Sequence, residues 1–195
     1  LASYDKAVVF DLEDTIGAVL SSTSLSSNNY ADVRDIVITD STLATDAMRL
    51  IDAVNTGAVT VDVLDDANAV AAEVTGSNGA GDLDEANSVV VSGGDIDAAD
   101  AAVVQSISGY DGSASDYDIT DTAAALISAT DSVLNVDGVD TVSVTGGPVD
   151  ADTGEKLAEL SKDVEFDVLD DANAVAAEVT GCLLYTSDAA DDQAC

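Results

Sequence analysis

The stretch DVLDDANAVAAEVTG occupies Asp62–Gly76 and returns, letter for letter, at Asp167–Gly181. An identity of fifteen residues in a chain of 195 does not arise by chance, so the sequence contains an internal duplication. Internal repeats indicate an architecture of stacked units, in which each unit covers the apolar face of its neighbour. The duplication therefore decides how the rest of the chain is interpreted.

Seven short segments rich in β-branched residues recur along the chain, and each ends at Asp or Gly, as strands that close into a turn commonly do. Their last residues are almost evenly spaced, and four such intervals together give the offset of the duplication. The pattern predicts a unit of about 26 residues. The segments are Ala7–Asp14, Asp35–Asp40, Val59–Asp65, Ser88–Gly93, Tyr117–Asp121, Thr141–Gly146 and Val164–Asp170.

Between these segments the apolar residues follow helical spacing, with charged residues on the opposite face. A strand followed by a helix, repeated, implies parallel strands joined by right-handed crossovers. We expect an α/β solenoid of about seven strand–helix repeats with one parallel sheet, and a parallel β-helix with coils of similar length is the alternative. The predicted helices are Thr42–Asn55, Asp66–Val74, Asp97–Ser108, Thr122–Asn135, Asp152–Lys162 and Asp171–Val179.

Polar pairs stand where a predicted strand ends and the next helix begins. Their side chains are expected to accept hydrogen bonds from the free N–H groups of the first helical turn. A carboxylate there also meets the positive end of the helix dipole. The pairs are Asp40-Ser41, Asp65-Asp66, Asp121-Thr122 and Asp170-Asp171.

The charge of the chain limits its partners. The formal net charge is −34, with 39 acidic residues against 5 basic ones, while 47% of the residues are hydrophobic. Such a surface repels nucleic acid and anionic membranes, and no apolar run is long enough for a membrane span. Repulsion between carboxylates is screened at high salt, so the composition favours a saline or calcium-containing exterior.

Residues 182–195 differ in composition from the rest of the chain. Cys182–Asp192 resembles the conceptual translation of a transposon-type sequencing adapter, and Leu1 is not an initiator methionine. We therefore expect residues 1–181 to be a repeat region from a longer chain, and residues 182–195 to be a non-native tail. Both cysteines lie in that tail and histidine is absent, which excludes disulfides, thiolate zinc sites, and Ser-His-Asp or Cys-His catalysis from the repeat region.

The segment KAVVFDLEDTI at Lys6–Ile16 resembles the first motif of haloacid dehalogenase-like phosphatases. The resemblance implies Asp11 as the nucleophile and Thr15 as the motif threonine, and GDIDAAD at Gly94–Asp100 is similar to the later acidic magnesium motif of that family. Glu13 and Asp14 depart from the family pattern, and both segments also fall in register with the repeat. A phosphatase is therefore the least favoured of the functions considered.

Two acidic loops place oxygen ligands at alternating positions, which is the spacing that calcium loops use. Neither loop carries the complete twelve-residue ligand series, and helix capping on an acidic surface explains the same residues. We expect no cofactor other than weakly bound calcium. The candidate ligands are Asp95, Asp97 and Asp100 in one loop, and Asp150, Asp152 and Glu155 in the other.

The repeating texture of β-branched strand, Asp or Gly, and Ala-rich helix resembles the repetitive regions of giant secreted or surface proteins of marine and halophilic bacteria, which are often adhesin-like. The resemblance implies a non-catalytic spacer on the cell surface or outside the cell. Its expected partners are neighbouring repeats of the same chain, divalent cations and surface glycans. A secreted β-helical polysaccharide-acting enzyme is the alternative, but the chain has no tryptophan and few other aromatic residues to stack on sugars.

Overall fold

Eight parallel strands make up the sheets of the computed structural model, which describes residues 10–21, 33–53, 58–78 and 83–177. They form a three-stranded and a five-stranded sheet, and in both sheets the spatial order follows the chain order. The first sheet contains β1 (Phe10–Asp14), β2 (Val33–Ile38) and β3 (Ala58–Thr60). The second contains β4 (Asp62–Asp65), β5 (Ser88–Ile96), β6 (Asp116–Thr122), β7 (Val139–Thr145) and β8 (Val164–Glu165).

Helices separate most of the successive strands. They are α1 (Ile16–Ser21), α2 (Ala44–Ala53), α3 (Ala67–Glu73), α4 (Ala98–Gln105), α5 (Ala123–Ser128), α6 (Asp131–Leu134) and α7 (Ala151–Ala158). A π-helical turn at Val74–Asn78 and a 3-10 turn at Leu83–Glu85 follow α3, and residues 172–177 are also helical. Helices that are neighbours along the chain pack side by side, such as α2 with α3 and α3 with α4.

The register between strands joins residues that are close in sequence. Leu12 lies opposite Ile36 in the first sheet, and Asp62 lies opposite Ser88 at the start of the second. At the other end of the second sheet, Val142 lies opposite Val164. The partners in all three pairs are separated by close to one predicted unit, so each strand pairs with the strand of the adjacent strand–helix segment.

The core lies on one face of the sheets. In β6, Tyr117 and Ile119 are buried while the residues between and beside them are exposed or partly exposed, and β4 and β5 alternate in the same way. Leu50 of α2, Val70 of α3 and Val104 of α4 are fully buried. Alternation of this kind places one face of a sheet against the helices and leaves the other face toward solvent.

The α/β class and the parallel pairing predicted from the sequence are confirmed. The prediction of one sheet is wrong, because β3 pairs with β2 whereas β4, which follows it, pairs with β5. The alternative fold, a parallel β-helix, does not describe these residues because α-helices follow the strands. Most strands lie within a few residues of the predicted segments, but Val59–Asp65 is divided at the buried Val61, and Val164–Asp170 is a strand only at its first two residues. The first residues of the earliest predicted strand and residues 182–195 lie outside the described part of the chain.

Two elements differ from the prediction for local reasons. The predicted helix Thr122–Asn135 is divided into α5 and α6 because Ala129 and Thr130 adopt extended backbone angles, although the apolar spacing continues across the break. Strand β5 runs beyond its predicted end through Gly93 and Gly94, whose φ angles of 80° and 93° accompany a shift of register against β6. Glycine adopts such angles without the steric cost that other residues would meet.

Candidate functional site: the aspartates at the strand ends

Aspartates at the ends of strands bridge neighbouring strand–helix segments. Asp65 follows Leu64 in β4, and its Oδ2 accepts a hydrogen bond of 3.0 Å from the backbone N–H of Ala44, the first residue of the preceding helix α2. Its Oδ1 accepts a second bond of 2.9 Å from the N–H of Asp66, the next residue along the chain. One carboxylate thus satisfies the start of the previous helix and fixes the turn that leads into its own helix.

The same bridge recurs along the molecule. Asp40 accepts from the N–H of Ile16 at 2.8 Å, Asp121 accepts from that of Ala98 at 3.2 Å, and Asp170 accepts from that of Ala151 at 3.0 Å. In each case the donor is the first residue of the preceding helix. First-turn amides have no intrahelical partner, which is why a side-chain acceptor stabilises them.

In three of the four pairs, the second residue caps its own helix. Asp66 accepts from the N–H of Ala69 at 2.9 Å, Thr122 from that of Ala125 at 3.3 Å, and Asp171 from that of Ala174 at 3.0 Å. The sequence predicted capping at these three pairs, and this is confirmed. At the fourth pair, Asp40-Ser41, the prediction is wrong, because α2 begins only at Ala44 and Asp40 accepts from the preceding helix α1. It did not predict that the first aspartate serves the preceding helix. The signal in the sequence was the presence of two consecutive polar residues, since the start of one helix needs only one capping side chain.

A glycine takes the place of the bridging carboxylate beside α3. A Cβ on Gly94 would lie 3.3 Å from the backbone N of Ala67, the first residue of α3, and 3.1 Å from Nδ2 of Asn68. The positive φ of Gly94 disfavours any other residue there in addition to this close approach. Here the backbone of β5 itself approaches the helix start.

The pKa values of several aspartates follow from these contacts. The hydrogen bond from Thr153 lowers the pKa of Asp150, and the backbone N–H of Ala174 lowers that of Asp171. Burial raises the pKa of Asp100, and the nearby charge of Asp97 raises it further. The lowered values show carboxylates held in their charged form by donors, which is the property of helix caps.

The candidate calcium ligands are distributed over caps and exposed positions. Asp97 is the N-cap of α4 and accepts from the N–H of Asp100 at 2.8 Å, while Asp150 is the N-cap of α7 and accepts from that of Thr153 at 2.8 Å. Asp95 lies in β5 opposite Asp118, and Asp152 and Glu155 are exposed on α7. Within the described ranges, no three His, Cys, Asp or Glu side chains are grouped so that they could hold a metal ion. Calcium binding stays a prediction.

The residues that resemble a phosphatase motif have other partners. Arg34 donates to both carboxylate oxygens of Asp11, at 2.9 and 2.6 Å, on an exposed part of β1 and β2. Thr15 accepts from the N–H of Ala18 in the first turn of α1. The later acidic segment, Gly94–Asp100, begins in β5 of the other sheet, whereas β1 is the edge strand of the first sheet. The two segments therefore belong to separate sheets.

Aromatic side chains in the described part of the chain contribute mainly to packing. Tyr117 is 1% exposed, and its hydroxyl accepts from Nε2 of Gln105 at 2.7 Å. The hydroxyl of Tyr110 donates to the carbonyl of Asp137 at 3.0 Å, and burial raises the pKa of Tyr110. A cleft of about 560 Å³ beside β7 and β8 is lined mostly by polar and aliphatic residues, together with Phe166.

No family model, curated protein or solved structure matches this chain. In the part of the chain that the structure describes, no helix is both long enough and apolar enough to cross a bilayer.

Proposed function

We propose that this chain is a non-catalytic spacer in an extracellular repetitive surface protein, built as an α/β solenoid of about seven strand–helix units. The observation that supports the proposal best is the aspartate bridge, in which an aspartate at the end of a strand or a few residues after it bonds to the preceding helix, at four places. A spacer needs contacts that repeat from unit to unit, since stability then comes from the stacking of neighbours.

The distribution of hydrogen bonds between segments supports the same proposal. Side chains link residues about one unit apart at several further positions, including Asn87 to Asp62 at 2.7 Å and Ser108 to Asp84 at 2.7 Å. An active site is normally assembled once in a domain, from residues that differ from their surroundings. The polar contacts described here recur instead, which favours a structural role for them.

The surface charge supports an exterior location. The chain carries 39 acidic and 5 basic residues. One of the basic residues, Arg34 in β2, is already paired with Asp11 and Asp35. Repulsion among the remaining carboxylates extends over roughly 10 Å at 0.1 M salt but only about 3 Å at 1 M. Saline surroundings therefore suit this surface, and divalent cations would act on it mainly as weakly bound counter-ions.

Shortening the chain by whole units tests the proposal. We expect the free energy of unfolding and its denaturant dependence to fall in steps from residues 1–181 to 1–162 and then to 1–136, because each shortening removes one unit and one interface. Residues 1–181 serve as the control for removal of the last fourteen residues and should unfold like the full chain. Complete loss of cooperative unfolding on the first shortening would contradict the solenoid, and with it the spacer.

A further inference from the structure

The two copies of the duplicated sequence make the same contacts with the chain that precedes them. In the first copy, the N–H of Leu64 donates to the carbonyl of Thr42 at 2.9 Å, and the equivalent Leu169 donates to that of Val149 at 2.9 Å. The N–H of Thr42 donates to the carbonyl of Asp62 at 2.9 Å, as that of Val149 does to the carbonyl of Asp167 at 2.8 Å. Both copies therefore form the same hydrogen bonds with the chain that precedes them.

The copies differ on their other side. Val63 is 1% exposed, whereas its equivalent Val168 is 45% exposed, and Val70 is fully buried whereas Val175 is 38% exposed. The first copy is covered by β5, which pairs with β4 in parallel over four residues, from Asp62 opposite Ser88 to Asp65 opposite Val91. No strand covers Asp167–Asp170 in the described part of the chain.

The segment that covers the first copy has a defined chemistry. Asn87 precedes the strand, its backbone N–H donates to the carbonyl of Val61 at 2.9 Å, and its side-chain amide donates to Asp62 at 2.7 Å. The four paired residues are Ser-Val-Val-Val and carry no charge, although the edge that they cover is acidic. Helix α4 then follows and packs beside α3.

We propose that Asp167–Asp170 and the helical residues 172–177, together called the second-copy edge, are a docking surface for one further strand–helix unit with the chemistry of residues 83–110. That unit supplies an asparagine for Asp167, an uncharged β-branched strand that pairs with Asp167–Asp170 in the register of β4 and β5, and a helix that covers Val175. The identical sequence of the first copy supports this occupant, because its apolar residues are buried by such a unit.

Charge argues against a second molecule of this chain as the occupant through β1, which is an edge strand of the first sheet among the described residues. Strand β1 carries Asp11, Glu13 and Asp14, so its pairing with the second-copy edge would bring carboxylates together on adjacent strands. Like charges on paired strands destabilise the pairing. The covering strand of the first copy avoids this by having no charged residue from Ser88 to Val91.

An extended chain tests the inference, which rests on the proposed repeating architecture. Residues 182–195 are replaced by a second copy of residues 77–111, and amide hydrogen exchange is measured at Val168 and Asp170. Because the N–H of Leu169 points to Val149, those of its two neighbours point to the open side. We expect their exchange to slow at least about tenfold and to approach that of Val63 and Asp65.

The matched control carries Val89→Asp and Val91→Asp in the appended copy alone, and it should leave the exchange at Val168 and Asp170 unchanged. A second measurement uses the full chain as it exists, with a labelled peptide of residues 82–111 as the probe. We expect saturable binding that the same two substitutions weaken at least about tenfold. Fast exchange in the extended chain together with no peptide binding would overturn the inference.

Two further outcomes are distinguishable. Protection of Val168 in the full chain without peptide, rising with protein concentration, would show that a second molecule occupies the edge and would overturn the assigned occupant. Stepwise loss of stability on shortening, combined with an edge that binds nothing, would leave the spacer proposal standing and remove only the docking surface. Failure of the shortening experiment, by contrast, contradicts the repeating architecture itself.

Discussion

At the scale of single residues, the molecule uses the two oxygens of one carboxylate for two different segments. Asp65 and Asp121 each accept from the next residue along the chain and from the first amide of the preceding helix. Such bonds to a charged acceptor are stronger than bonds between neutral groups. A short side chain at a strand end therefore links two segments that are distant in sequence.

Replacing Asp65 by alanine should destabilise the protein by about 1–3 kcal/mol, because the amides of Ala44 and Asp66 lose a shared acceptor that is partly buried. The equivalent change Asp170→Ala removes the same two bonds from a carboxylate that is more exposed than Asp65, and it should therefore cost less than Asp65→Ala. Denaturant unfolding at 1 M NaCl measures both variants.

The control for the loss of one negative charge is Asp152→Ala, at an exposed position in the first turn of α7. We expect little change in stability there. Equal costs for Asp65→Ala and Asp152→Ala would mean that the bridge adds nothing beyond the charge at a helix start.

At the scale of elements, the return from α6 to β7 is formed around a glycine. The carbonyl of Gly138 accepts from the N–H of Tyr117 at 2.9 Å, just before β7, and the φ of Gly138 is 99°. A Cβ on this residue would lie 2.6 Å from the hydroxyl of Tyr110 and 2.9 Å from Cβ of Ser115. The turn therefore requires both an unusual backbone angle and the absence of a side chain.

Gly138→Ala should destabilise the protein by about 2–4 kcal/mol, since the backbone strain and the displacement of Tyr110 act together. Gly146→Ala is the matched control, because its φ is 94° but no atom lies within 4 Å of the added Cβ. It should cost only about 1–2 kcal/mol of backbone strain. Similar costs for the two variants, measured by thermal unfolding, would show that the close packing around Gly138 has no energetic effect.

The elements that the sequence predicted well are those with a strong local signal. Strand β6, with Tyr117 and Ile119 alternating with polar residues, and helix α4, which begins at the cap Asp97, lie close to their predicted positions. The break between α5 and α6 could not be predicted, because Ala129 and Thr130 carry no glycine or proline signal. The partner of each strand-end aspartate could not be predicted either, since it depends on the register between strands.

At the scale of the whole molecule, the packing between segments stabilises the folded state, whereas the net charge destabilises it. The stacked segments bury a continuous set of aliphatic residues from Ile16 to Leu157, whereas a formal net charge of −34 opposes a compact state. Because the chain has only five basic residues, few ion pairs can offset this repulsion. The balance therefore depends on screening by the solvent.

Raising NaCl from 0.05 M to 1 M should increase the melting temperature by several degrees, because screening weakens the repulsion among carboxylates that the folded state brings together. A flat or falling melting temperature would contradict the saline exterior.

At constant ionic strength, millimolar calcium should raise the melting temperature more than magnesium does if the predicted loops bind it. Asp95→Asn and Asp152→Asn remove candidate ligands that cap no helix, and they should abolish only that extra increase.

The short separations between paired strands also determine how the chain can fold. Partners in the sheets, such as Leu12 with Ile36 and Val142 with Val164, are separated by only a small fraction of the chain. Parallel sheets usually fold slowly because their strands are joined by long connections, but in these sheets no strand has to search far for its neighbour. A polypeptide emerging from the ribosome can add each strand to an edge that has already formed, so this register permits the order of folding to follow the order of synthesis.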